Sequence, residues 1–316
     1  MAIVTNTFLT YNAKGIREEL SNVIANISPE ETPFQSNVGS ESVSNAFFEW
    51  QTDSLAATAT TAVISGDDVA SFDSTAATTR LGNYTHIRRR TMVIEDRLEF
   101  VDKAGRDSEI AYQLAKRGKE LKRDIEAVLL DNNARVAGNS TTAPETAGLP
   151  AWLTSNTSFG TGGADATGDG TNARTDGTQR AFTEAMLKSV MQSAWTAGGN
   201  PSILMVGPYN KTVASGFAGI AETRVAGGDA PTTIIGAADI YVSDFGNITF
   251  VPNRFQRERD AFLLDPEYAS VCYLRPIQQI ELAKTGDAEK RMVLAEFGLK
   301  VANEAAHGMV ADLTTS

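Results

Sequence analysis

The chain reads as α+β, and three observations carry that reading. A long run at 108–136 has apolar residues at helical spacing, β-leaning runs stand before and after it, and a middle region mixes helices with strands. In the long run, Ile110, Leu114, Leu121, Ile125, Val128, Leu129 and Val136 are three, four or seven residues apart, which puts one stripe on a helix. Asp107 or Ser108 can cap its start, Glu109 suits the first turn, and Gly138 stands where a C-terminal glycine cap is expected. A helix of that extent would be on the order of 40 Å long and would act as a strut for the rest of the chain.

The elements follow in order. Residues 1–40 begin as a weakly patterned arm with a short helical segment at 14–27, stopped by Ser28-Pro29; Thr32-Pro33-Phe34 is then extended, since proline disfavours the helical region for the residue before it. Such an arm has little to bury against itself. Phe47-Phe48-Glu49-Trp50-Gln51 predicts a strand, 52–79 is rich in Thr, Ala, Ser and Asp, and 80–94 predicts a returning strand. Two strands joined by so long a polar excursion form a hairpin that is marginal alone and needs a partner surface. Arg88, Arg89 and Arg90 on the returning strand fit either an acidic partner or a solvated strand edge.

After the long helix, 138–177 is rich in Gly, Thr, Asn, Asp and Ala and predicts a surface loop. A helix at about 180–197, a short buried strand at 203–206, a helix opening at Gly207-Pro208, a glycine-rich loop at 224–233 and strands at 234–243, 247–251, 261–264 and 270–274 make an α/β or α+β unit. Beyond Arg275-Pro276, two strands at 277–284 and 290–301 turn at Thr285-Gly286-Asp287. The long helix and these late strands need each other, because neither has another large apolar partner nearby in sequence.

Composition narrows the function. The 316 residues are 42% hydrophobic and 21% charged, enough for one large or two modest domains. A net charge of −11 repels nucleic acid and anionic membrane, so any DNA contact needs a local basic cluster. One lies on the long helix, where Lys116, Lys119 and Arg123 fall opposite the Leu114, Leu121 and Ile125 stripe. They form either a solubilising face or a weak, sequence-independent phosphate contact. No signal peptide and no membrane-spanning run stands out, so a soluble protein made in the cytoplasm is expected.

Catalytic and metal chemistry find little support. His86 and His307 are the two histidines and Cys272 the one cysteine, too few for a confident triad or metal site. Cys272 in Val271-Cys272-Tyr273 suits a buried, inert thiol. The stretch from Asp165 through Asp169 and Gly170 to Asp176 is spaced like a calcium loop, yet its third and ninth positions are Thr167 and Ala173. No cofactor, no metal and no enzymatic activity are expected.

In this order the parts resemble the major capsid protein of tailed phages, of the Hong Kong 97 (HK97) type. The residues that carry the resemblance are Ile27-Ser28-Pro29 with Thr32-Pro33-Phe34, Ser243-Asp244-Phe245-Gly246, Asn253-Arg254-Phe255, Leu264-Asp265-Pro266-Glu267, Leu274-Arg275-Pro276, Ala283-Lys284-Thr285-Gly286-Asp287 and Asn303-Glu304-Ala305-Ala306-His307-Gly308. The match is weakest at 52–79 and 138–177. The resemblance implies an N-terminal arm at 1–42, an extended β loop at 43–95, a peripheral domain with the spine helix at 96–139, an axial domain at 140–275, and return strands with the C-terminal segment at 276–316. It implies a structural subunit that assembles as hexamers and pentamers into an icosahedral shell around double-stranded DNA in the virion. A separate scaffolding protein, a portal and decoration proteins would be its partners, with no membrane. Phe34, Trp50, Arg88, Arg89 and Arg90 are then expected at contacts between subunits, so that charge reversal at the three arginines harms assembly more than folding. Lys116, Lys119 and Arg123 are expected to face the genome. No lysine occurs in 52–79, so no lysine-to-asparagine crosslink is expected from that loop. An encapsulin-type compartment shares the fold and is the alternative; a calcium-dependent surface-binding protein is an alternative of another class.

Overall fold

The fold comes from a computed structural model, which describes residues 31–68, 72–101, 108–217 and 239–316. The helix expected at 14–27, the glycine-rich loop at 224–233 and Asp107 lie outside these residues. The described chain opens with α1 (Pro33–Asn37) and β1 (Gly39–Ser42), a hairpin of β2 (Phe47–Thr52) and β3 (Thr79–Tyr84), then β4 (His86–Glu95), α2 (Asp96–Phe100) and the long α3 (Glu109–Leu130). Next come β5 (Thr157–Ser158), α4 (Glu184–Thr196), β6 (Ile203–Val206), α5 (Pro208–Ala214), β7 (Ile240–Ser243), β8 (Gly246–Pro252) and β9 (Ala261–Leu264). Two long strands, β10 (Ala269–Leu282) and β11 (Ala288–Val301), and the short β12 (Gly308–Val310) complete it.

Three sheets result. One has the order β1-β10-β11-β4, a second β5-β12-β9-β6-β8-β7, and the third is the β2-β3 hairpin. The spine helix α3 lies on the first. Leu121, Ile125, Leu129 and Leu130 are fully buried and share a core with Val293, Ala295, Phe297 and Leu299 of β11, with Leu114 packed at its margin. The apolar stripe and the late strands therefore meet, as their lack of other partners required.

The helix is shorter than its periodicity suggested, about 33 Å over 22 residues. It begins at Ser108, whose hydroxyl accepts the Ala111 N–H at 3.2 Å, while the Glu99 carboxylate accepts the Ile110 N–H at 2.8 Å. It ends at Leu130, where Asp131 accepts the Asn132 N–H, the Asn132 amide donates to Arg174 O at 2.9 Å and the Asn133 amide donates to Thr146 O at 2.7 Å, so that side-chain bonds draw the chain away from the helix axis. Gly148 seals this end, since a Cβ there would stand 1.9 Å from Asp131 O. Gly138 has no part in the cap.

The strands expected separately at 270–274 and 277–284 are one strand, β10, whose register against β11 slips around Arg275. Pro276 explains the slip, because it brings no N–H to the ladder. β10 enters the first sheet at Ala269 and β12 lies in the second, so a division at 140–275 and 276–316 does not follow the sheets. In the six-stranded sheet, β6 and β9 are buried along their whole length. Alternation explains this: Ile203, Met205, Phe262 and Leu264 join the spine core, while Leu204, Val206, Ala261 and Leu263 join a second core with Leu187, Val190 and Met191 of α4.

Candidate assembly surfaces

The hairpin divides into an embedded root and a bare tip. At the root, β2 and β3 pair from Phe47 opposite Tyr84 to Thr52 opposite Thr79. Phe48 and Trp50 are buried, with Trp50 5.2 Å ring to ring from the buried Trp152. Gly298 makes room, since a Cβ there would lie 2.6 Å from the Phe48 ring. Asn83, fully buried, donates to Leu299 O at 2.7 Å and Thr146 Oγ1 at 2.9 Å and accepts the Ala147 N–H at 3.0 Å. Trp50 is thus not a side chain offered to a neighbour, as the sequence suggested; it fastens the hairpin to its own subunit.

Past Thr52 the ladder stops and the side chains lose cover. Leu55 is 99% exposed, Val63 82%, Ile64 81% and Phe72 89%. Burying such a side chain fully contributes about 1.5–3 kcal/mol, so four of them in the open on one excursion leave a large apolar area uncovered within the subunit. The same stretch, 53–78, carries Asp53, Asp67, Asp68 and Asp73 and no Lys, Arg or His.

The three consecutive arginines do different things, because successive side chains of a strand point to opposite faces. Arg88 and Arg90 turn towards α3 and share Asp124: Arg88 Nε is 3.0 Å from Oδ2, Arg90 Nε 2.8 Å from Oδ2 and Arg90 Nη2 2.6 Å from Oδ1. Their acidic partner is the subunit's own spine, which corrects the expectation of an intersubunit role for these two. Arg89 projects from the other face and is exposed, as is Val93 at 63%.

On the spine helix, Lys116 and Lys119 are exposed as expected. Arg123 is half-buried, its guanidinium 5.1 Å from the centre of the Phe255 ring. Phe34, expected between subunits, is fully buried in the spine core. The chain at 31–42 is correspondingly part of its own subunit: β1 runs parallel to β10, and Glu41 takes a hydrogen bond from Ser270 Oγ at 2.8 Å and an ion pair with Lys300 at 2.8 Å. Phe34 leaves no side-chain area for a neighbour.

Two groups of side chains escaped the sequence reading. One is Glu126, which follows Ile125 on the helix and is fully buried. Its wheel position between Leu129 and Leu130, inside the apolar arc, was the signal available. The other is a knot of charge beside the C-terminus. Arg174 Nη2 meets Asp312 Oδ2 at 3.0 Å, Arg259 Nη2 meets Asp312 Oδ1 at 2.7 Å, Arg257 Nη1 meets Asp260 Oδ2 at 2.9 Å, and Arg257 and Arg259 both reach Asp176. Burial would raise the Asp312 carboxyl, but Arg174 and the N–H groups of Gly160 and Gly177 outweigh it and hold it below its ordinary value.

The acidic residues of the calcium-like stretch each have partners of their own. Asp176 serves arginines, Asp165 accepts from Thr157 Oγ1 at 2.8 Å, and Asp169 accepts from Thr167 and Thr171, bonds that overcome partial burial and hold it at about 2. The three carboxylates are spoken for by different partners. Among the described residues no group of three or more His, Cys, Asp or Glu is arranged to hold a metal ion, and no helix is long and apolar enough to cross a membrane. Cys272 is buried, which pushes its thiol up to about 11.

Asp260 gives a pH test. Burial pushes its carboxyl up to about 6, against the pull of Arg257 and Arg174 and with the help of Asp176 and Asp312. A folded-state value above the unfolded one means that this group's stabilising contribution is full below about pH 4 and is lost as pH rises through about 6, by at most about 3 kcal/mol. His86 and His307, whose burial lowers them, act in the opposite sense below about pH 6.5, so the comparison must be a difference. Asp260→Asn should gain stability relative to the natural chain as pH rises from about 4.5 to 7.5. Urea unfolding at each pH reads this, and a constant difference would contradict it.

The fold, a spine-and-sheet body with a second sheet, is one that known proteins share. The major capsid protein of Escherichia phage Phieco32 is 28% identical over 344 aligned positions, covering 96% of both chains. A structure titled Cyanophage A-1(L) capsid asymmetric unit superposes with a TM-score of 0.63 at 13% identity, covering 98% of this chain and 99% of the other. A chain from Gordonia phage Cozz does so with 0.61 at 14%, with the same coverage. The fold is the HK97-type capsid fold, and the protein is a structural subunit of a phage capsid. From residue 3 to residue 314 the chain matches the family model of the SU10 major capsid protein, and it belongs to that family.

Proposed function

We propose that this capsid subunit joins its neighbours chiefly through residues 53–78, each excursion lying on an adjacent subunit in the hexamers and pentamers of the shell. The observation that carries the reading is the contrast within one hairpin: a root sealed by Trp50, Trp152 and Asn83, and a tip with Leu55, Val63, Ile64 and Phe72 in the open. Arg89 is a second intersubunit contact, supported by its outward position and by the four aspartates of the excursion. Lys116, Lys119 and Arg123 contact the packaged double-stranded DNA without reading sequence, through a salt-dependent phosphate attraction. The local excess of basic residues on a chain of net charge −11 supports this. A separate scaffolding protein, a portal and decoration proteins take part in this reading, assembly takes place in the host cytoplasm, and no catalytic step is ascribed to the subunit.

Electron microscopy of the chain expressed with the neighbouring scaffold gene tests the reading. Closed shells are expected, and a persistent monomer would overturn it. In infection, a variant with Lys116→Gln, Lys119→Gln and Arg123→Gln should build shells in normal number that hold less DNA; unchanged DNA content removes the genome-facing role.

A further inference from the structure

Glu126 carries no ion pair among the described residues, yet it is wholly buried. Its oxygens instead accept four hydrogen bonds. Oε1 takes the Phe34 N–H at 2.6 Å and Asn253 Nδ2 at 2.7 Å, and Oε2 takes the Gln35 N–H at 3.1 Å and Gln35 Nε2 at 3.0 Å. Three segments distant in sequence thus share one carboxylate: the turn α1, the spine helix α3 and the bend that follows β8. Thr32 makes no side-chain bond to the start of α1, so Glu126 serves the N–H groups that a capping residue would serve.

The Asn253 side is equally fixed. The Asn253 N–H donates to Val206 O at 2.9 Å, and its side-chain oxygen accepts the Phe255 N–H at 2.8 Å, which aims the amide nitrogen at Glu126. Phe255 in turn lies under Arg123, about one turn before Glu126 on the same helix. Asn253 follows directly on the six-stranded sheet, whereas α1 leads directly into β1 of the four-stranded sheet. A buried anion with no cation is tolerable only while its acceptor positions are filled. Removing donors from one segment therefore weakens the other segment's hold.

We propose that Glu126 is a positioning residue that couples the seating of the arm at 33–37 to the seating of the six-stranded sheet on the spine helix. Gln35 and Asn253 do not touch each other in this scheme; each senses the other through the shared carboxylate, and the effect is reciprocal.

Amide hydrogen exchange on the full-length chain tests this. Gln35→Ala should speed exchange of the Phe255 N–H, and Asn253→Ala that of the Phe34 N–H, each about fivefold, the factor expected for losing one net hydrogen bond. The Leu204 N–H in β6 should stay unchanged in both. If each substitution disturbs only its own segment, the coupling does not exist. A rise that includes Leu204 reports general unfolding and equally overturns the proposal. Glu126→Gln should loosen both segments at once, and where that variant fails to fold the first two still decide.

Discussion

Replacing Leu55, Val63, Ile64 and Phe72 together by serine is expected to abolish shell formation while leaving the subunit's own melting temperature within about 2–4 °C. The two outcomes separate because these side chains are 81% or more exposed in the subunit, so it gains little from them. In a shell, covering all four would contribute on the order of 6–12 kcal/mol per subunit before the ordering cost of the loop is subtracted. Removing that term at every subunit acts on each contact of a closed assembly at once. Sedimentation of the expressed variant, with a thermal melt of the same preparation, reads both results. Normal shells would show that the excursion is dispensable, and a large fall in melting temperature would show that it packs on its own subunit.

The second large effect belongs to the charge knot. Asp312→Ala should cost the subunit about 3–5 kcal/mol, because it leaves the fully buried Arg174 short of a counter-charge. It also strips the Gly160 and Gly177 N–H groups of their acceptor. Alanine suffers further at this position, since Asp312 has φ of 59°, a left-handed conformation that aspartate and asparagine tolerate better. For a chain of this size the melting temperature should fall by roughly 10 °C. Asp312→Asn keeps the backbone preference and one acceptor oxygen, so it should recover part of the loss; equal damage from both variants would assign the whole effect to charge.

How much of this was legible in the sequence depended on whether a residue's partner is local. The stripe of Leu114, Leu121 and Ile125 was readable from spacing alone, and the late strands had to be its cover. The end of the spine helix was misread because the spacing continues to Val136 while Asp131, Asn132 and Asn133 turn the chain with side-chain bonds that periodicity does not register. Arg88, Arg89 and Arg90 looked like one basic unit. Strand alternation divides them, but Asp124 as the receiver of two of them lies 34 to 36 positions away and has no local signature. Phe34 and Trp50 were rightly seen as needing cover, yet nothing in the sequence said whether it came from the same subunit. Asn253-Arg254-Phe255 helped to carry the family resemblance, and the structure gives two of its residues physical contacts, with Glu126 and Arg123 on the spine.

The central claim is that the root of the hairpin is completed by its own subunit, whereas the excursion is covered chiefly by neighbours. Hydrogen exchange across residues 53–68, compared between free subunits and assembled shells, tests it most directly. Fast exchange in the free subunit and strong protection in the shell are predicted, with β2, β3 and α3 protected in both states. Equal exchange of 53–68 in the two states would contradict the account.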